Sequence, residues 1–152
     1  MSKEKNKIEN VYSPWILEKW SIFFFEFILT FEGVITVFYW STLYDPATYP
    51  TSYLKITNLI NHALPLIVLT IDFVMNTVPF HYRHVPIMLG IMLIYALAVN
   101  LPVTLISGTP VYSVLTYKDV STYLYILLLL VLFTLSFTTW YLLAKWKNAK
   151  YH

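Results

Sequence analysis

Acids and histidines are few in this chain, and several fall inside long apolar stretches. His62 and Asp72 share one such stretch, ten residues apart. On a straight helix that spacing means about 15 Å of rise and roughly 80° of rotation, so the two cannot hydrogen-bond each other. Each needs a partner from another helix, a water or a bound molecule. Asn58 stands one turn before His62 and Asn76 one turn after Asp72, which gives each ionisable group a polar neighbour on its own face. Glu26 and Glu32 lie six residues apart, about 120° around a helix, and do not form a paired-carboxylate site by themselves. Glu32 sits near the middle of its stretch, where an ionised carboxylate costs on the order of 3 kcal/mol or more. Protonation or a partner across the bundle relieves that cost, and His62 is a candidate partner. His81 and His84 are three apart in a short turn. Two histidines without a third ligand make a weak metal signal, so the expectation is surface titration and no metal.

The elements that position these residues are four apolar stretches, roughly Trp20–Tyr44, Lys55–Val78, Pro86–Ile106 and Val120–Tyr141. Each can cross a hydrocarbon core about 30 Å thick. The expected fold is an all-α membrane protein, a four-transmembrane-helix bundle forming one domain over residues 1–152, with helices at about 14–44, 53–78, 86–106 and 120–146. Ser13-Pro14 reads as a helix start and Ser52 as the cap of the second helix. Asp45-Pro46, the Val78–Pro86 turn and Gly108-Thr109-Pro110 read as breaks. Trp20, Trp40, Tyr44, Trp140 and Trp146 fall near span ends, where aromatic belts anchor depth. Within the spans, Glu26, Glu32, Asn58, His62, Asp72, Asn76 and Asn100 are the candidates for interhelical hydrogen bonds or for a polar pocket.

The chain has 152 residues, 58% of them hydrophobic, and a net charge of only +2. Cysteine is absent, which excludes disulfides, thiol catalysis, cysteine-held zinc and iron–sulfur clusters. No phosphate loop, serine-hydrolase elbow or nucleic-acid motif is present. The first apolar run is too long for the core of a cleaved signal peptide and reads as a retained helix.

Val37-Phe38-Tyr39-Trp40-Ser41-Thr42-Leu43-Tyr44-Asp45 and Tyr49-Pro50 resemble a helix end and loop of the androgen-induced, FAR-17a/AIG-like membrane proteins. His62 with Asp72, the His81–His84 turn and Val111-Tyr112-Ser113-Val114-Leu115 continue the resemblance, which covers roughly Phe24–Leu115. The family usually has Tyr-Pro where this chain has Tyr112-Ser113. The Rolling-stone proteins are a related second match. The resemblance implies a multi-pass fold with a lipid-accessible pocket. Family members with known activity are intramembrane hydrolases of fatty-acid esters of hydroxy fatty acids, using a threonine and a histidine. His62 falls on the histidine position, while the helix carrying the threonine has no counterpart here.

The leading expectation is therefore a non-catalytic relative: a structural or lipid-holding accessory subunit of a larger membrane complex, such as a mitochondrial respiratory or ATP synthase assembly. Its expected partners are membrane lipids and other membrane subunits, with no cofactor and no nucleic acid. The mitochondrial inner membrane is the expected location, with an endomembrane or the plasma membrane as the alternative. A lipid-ester hydrolase using His62, or a proton relay through Glu32, His62 and Asp72, is the competing function.

Basic residues split unevenly across the spans. Lys3, Lys5, Lys7, Lys19, Arg83, Lys145, Lys147 and Lys150 fall on one side, and only Lys55 and Lys118 on the other. By the positive-inside rule both termini then share the cytosolic or matrix side with Arg83. Single cysteines introduced at positions 5, 83 and 149 should react with an impermeant thiol reagent from one side, and those at 48 and 112 from the other. Labelling of positions 5 and 48 from the same side would contradict this topology.

Overall fold

The computed structural model describes residues 14–150. They form helical spans Ile16–Leu43, Ser52–Met75, Tyr82–Ser107 and Val120–Ala149, each long and apolar enough to cross a membrane. No strand occurs among the described residues. The chain is an all-α, multi-pass membrane protein with four spans. The expected cap Ser13 and the basic residues Lys3, Lys5 and Lys7 lie outside the described residues.

Several helix ends differ from the sequence expectation, each for a local reason. The cap of the second span is Thr51, whose Oγ1 accepts from the Leu54 N–H at 3.3 Å, and Ser52 is already helical. That helix stops at Met75 and not at Val78. Asn76 is extended, and its side-chain oxygen accepts from the Val78 N–H at 3.0 Å, which turns the chain away. From the fourth span, the Lys147 ammonium donates to the Phe73 carbonyl, and to the Asn76 carbonyl at 2.6 Å. It also lies 4.0 Å from the Phe73 ring centroid. A cation on the last carbonyls of a helix satisfies acceptors that the helix cannot pair itself.

The third span starts with a 3-10 turn, Tyr82–His84, which runs directly into helix Val85–Ile94. It ends at Gly108, whose φ of +72° is the left-handed cap conformation open to glycine. The fourth span extends to Ala149 and is capped at its start by Asp119, which accepts from the Ser121 hydroxyl and from its N–H at 2.9 Å. Those bonds hold the Asp119 carboxyl below its ordinary range. The cap's contribution is thus complete above the unfolded value and is lost as pH falls through the folded one.

Two segments wind as π-helix, Tyr39–Leu43 and Tyr95–Asn100. In each the backbone bond reaches five residues back, from Tyr44 to Tyr39 and from Leu101 to Ala96. Such wide turns are rare and concentrate at functional sites.

The first span packs against the second and fourth, and the third against the fourth. Phe23, Phe73, Phe80, Phe133 and Phe137 are buried between them on the Arg83 side. The first and fourth spans approach closely at Gly33, where a Cβ would lie only 2.8 Å from Ser136 Oγ. That hydroxyl donates to the Thr30 carbonyl at 3.1 Å, so a glycine and a serine together set the seam. Outward residues such as Ile67, Ile71 and Ile106 are exposed, as a lipid-facing surface requires.

Removing the Lys147 cap should destabilise the bundle. Lys147→Met leaves two helix-end carbonyls without a charged donor, a loss of about 1.5–3 kcal/mol, and should lower the unfolding midpoint in detergent. Lys147→Arg should lose less. Equal melting of Lys147→Met and the wild type would contradict the cap.

Candidate functional site

Several polar residues within the spans gather at two places, one at each end of the bundle. At the end away from Arg83, a cavity of about 620 Å³ opens between the first, third and fourth spans. That volume is typical of small-molecule sites, which run from about 300 to 1,000 Å³. Phe27, Phe31, Val34 and Leu129 line its inner part, while Tyr39, His62, Tyr95, Asn100 and Tyr112 supply its polar groups. Both π segments contribute to this wall, Tyr39 and Leu43 from one, and Tyr95, Ala96 and Asn100 from the other. The link after the third span covers it with Tyr112, Val114 and Leu115. Tyr117 fixes that link by donating to the Ala96 carbonyl, inside the second π segment, at 2.7 Å. Burial and the Tyr95 hydroxyl push the Tyr112 phenol up to about 12, so it stays neutral.

His62 enters this wall from the second span. Its ring stacks on Tyr39 with centroids 3.6 Å apart and planes 6° apart. The Tyr39 hydroxyl donates to Asn58 Oδ1 at 2.5 Å and meets the Tyr49 hydroxyl at 2.8 Å. A phenol carries one proton, so Tyr49 is the donor in the second bond. Asn58 therefore serves Tyr39 and not His62. Its amide nitrogen, like that of Asn100, is buried without a partner among the described residues. Asn100 is 1% exposed and its oxygen accepts from Thr104 at 3.3 Å.

Several expected pairings are not made. Glu32 is half-buried and has no bond to His62. Asp72 is exposed, not turned inward, in the last turn of its helix, where its backbone carbonyl takes the Asn76 N–H. Asn76 works through its backbone and as a turn former, holding Lys147 and Val78. Glu32, His62 and Asp72 are thus not linked into a chain. Nor does any hydroxyl bond the His62 ring among the described residues. Thr36 donates instead to the His62 backbone carbonyl at 2.9 Å, and Thr70 to the Leu66 carbonyl at 2.7 Å.

The second place lies on the Arg83 side. Glu26 has no exposed surface, yet both its oxygens are satisfied. Oε1 accepts the His81 N–H at 2.9 Å and lies 3.0 Å from His81 Nδ1, while Oε2 lies 2.6 Å from His84 Nδ1. The histidine pair, expected at the surface without a third ligand, is therefore folded onto an acid from the first span. The sequence held a signal for this that local reading could not use: an acid needing a partner, and two histidines one 3-10 turn apart.

Comparison of the chain with protein-family models, with curated proteins and with solved structures returned no match. The functional reading therefore rests on the geometry of these two places.

Proposed function

We infer that this protein is a non-catalytic, lipid-holding membrane protein that takes one acyl chain into the cavity and meets the lipid's polar end at Asn100. The buried, unpaired amide of Asn100, at the polar end of a mostly apolar wall, carries the reading. A buried donor without an acceptor costs about 1–3 kcal/mol, and an ester carbonyl or hydroxyl of a lipid would satisfy it. The polarity of the wall gives the orientation. The tail runs toward Phe27 and Phe31, and the polar end toward Tyr95 and Tyr112, near the membrane face away from Arg83.

The hydrolase alternative requires a hydroxyl on the His62 ring to act as a nucleophile, and the nearby Thr36 is bonded to a backbone carbonyl. The stack of His62 on Tyr39 suits a rigid wall better than a general base. In this reading the partners are membrane lipids and, along the largely uncovered second span, neighbouring membrane subunits.

A fatty acid carrying a photoreactive diazirine near its tail, irradiated with the protein in mild detergent, should label cavity residues such as Phe31, Val34 or Leu129. Asn100→Leu should cut that labelling several-fold while the protein remains folded. Adducts confined to the outward residues Ile67 and Ile71 would contradict the cavity as a lipid site.

A further inference from the structure

We propose that Glu26, His81 and His84 form a binding site for a divalent metal ion of the zinc class, separate from the lipid cavity. One carboxylate oxygen or imidazole nitrogen from each residue lies within 4.8 Å of the others. One carboxylate and two imidazoles are ligands that suit zinc and its neighbours, not calcium or magnesium, which prefer all-oxygen sets.

The local fold builds the site. A 3-10 helix has three residues per turn, so side chains at i and i+3 eclipse. The turn Tyr82–His84, with His81 at its cap, therefore presents both histidines to the same side. Their ring centroids are 5.2 Å apart, and each Nδ1 faces a different oxygen of Glu26. Support surrounds the ligands. The His81 N–H fixes one Glu26 oxygen, and the Phe23 ring stands edge-on to His84, with centroids 5.4 Å apart. Such outer contacts orient metal ligands.

The carboxylate is sealed at 0% exposure, whereas the His84 and His81 side chains are 16% and 33% exposed. An ion can thus reach the site from the membrane face on the Arg83 side, and a fourth coordination position remains for water. Four-coordinate geometry at about 2.0–2.1 Å places donors about 3.3 Å apart. The present separations of 3.0 and 2.6 Å would have to open by about 0.3 and 0.7 Å, within reach of small rotations of the two rings.

A carboxylate only accepts, so in the metal-free arrangement the protons sit on both Nδ1 atoms. On binding, each imidazole gives up its Nδ1 proton, carries one on Nε2 and turns its Nδ1 lone pair to the metal. The ion then supplies the positive charge that a carboxylate buried within a membrane-spanning helix otherwise lacks.

The test uses the full chain, purified without a histidine tag, stripped with chelator and titrated with zinc chloride. Zinc should bind at one ion per chain and raise the unfolding midpoint, and cobalt(II) should give the visible absorption of a four-coordinate site. His81→Ala removes one ligand but keeps the backbone N–H to Glu26, so it should stay folded and lose about tenfold or more in zinc affinity. Glu26→Gln should abolish the cobalt spectrum. Should Glu26→Gln fail to fold, His81→Ala and His84→Ala decide the matter. Folded wild type that takes up no zinc would overturn the site. So would zinc binding with the same affinity in both histidine variants, which would place the metal elsewhere. A hydrogen-bonded tie without metal predicts the first of these results.

Discussion

Burial of the Glu26 carboxylate inside the first span constrains the rest of the bundle. A group of that kind cannot be left unsatisfied within a membrane. Its bonds come from the His81 N–H and from the rings of His81 and His84, at the end of the link between the second and third spans and in the first turn of the third. Meeting that demand pulls the link back into the bundle, against the first span. Phe80 is carried with it into the core, where its ring packs on Phe73 and Phe137 at 5.9 and 5.5 Å. The second helix must then end early, at Met75, and the carbonyls it exposes are taken by Lys147. One acid thus sets the position of the link, the end of the second span and the contact that holds the end of the fourth.

The two ends of the bundle are built differently. On the Arg83 side, aromatic rings, a buried acid and a capping lysine fill the space between spans. Toward the other face the first and third helices widen into π turns, and the spans separate around a cavity. A wall of phenylalanine and leucine with a few fixed polar groups is suited to holding an amphipathic molecule in one orientation. The tight end fixes the scaffold against which the open end keeps its shape. In this account the proposed metal site belongs to the scaffold end and the lipid to the open end, so each can be removed without abolishing the other.

Much of the architecture was legible in the sequence because it follows from local rules. Four apolar stretches of membrane length give four spans, and Gly108 marks a helix end by its backbone freedom. Two adjacent hydroxyl residues could not be told apart as caps by type alone, as Thr51 and Ser52 show. The π segments were not legible, because these helices are apolar nearly all round and a change of winding leaves no break in the pattern. Glu26, Asn58, His62 and Asn100 were recognisable as polar groups needing partners. Which partners they find depends on contacts such as Glu26 to His81, which are 55 residues apart in the chain. Asp72 departed from expectation for a simple reason. The helix ends three residues after it, so its carboxylate stands at the bundle's edge and not between helices.

The cavity is proposed to hold a single lipid with its polar end at Asn100. Native mass spectrometry of the protein, extracted gently and freed of detergent in the gas phase, tests it most directly. A bound species with the mass of one acyl lipid per chain should be retained through delipidation and lost from Asn100→Leu and from the cavity-filling Leu129→Trp. A wild-type chain at its bare mass, or a ladder of weakly held lipids identical in all three proteins, would contradict it.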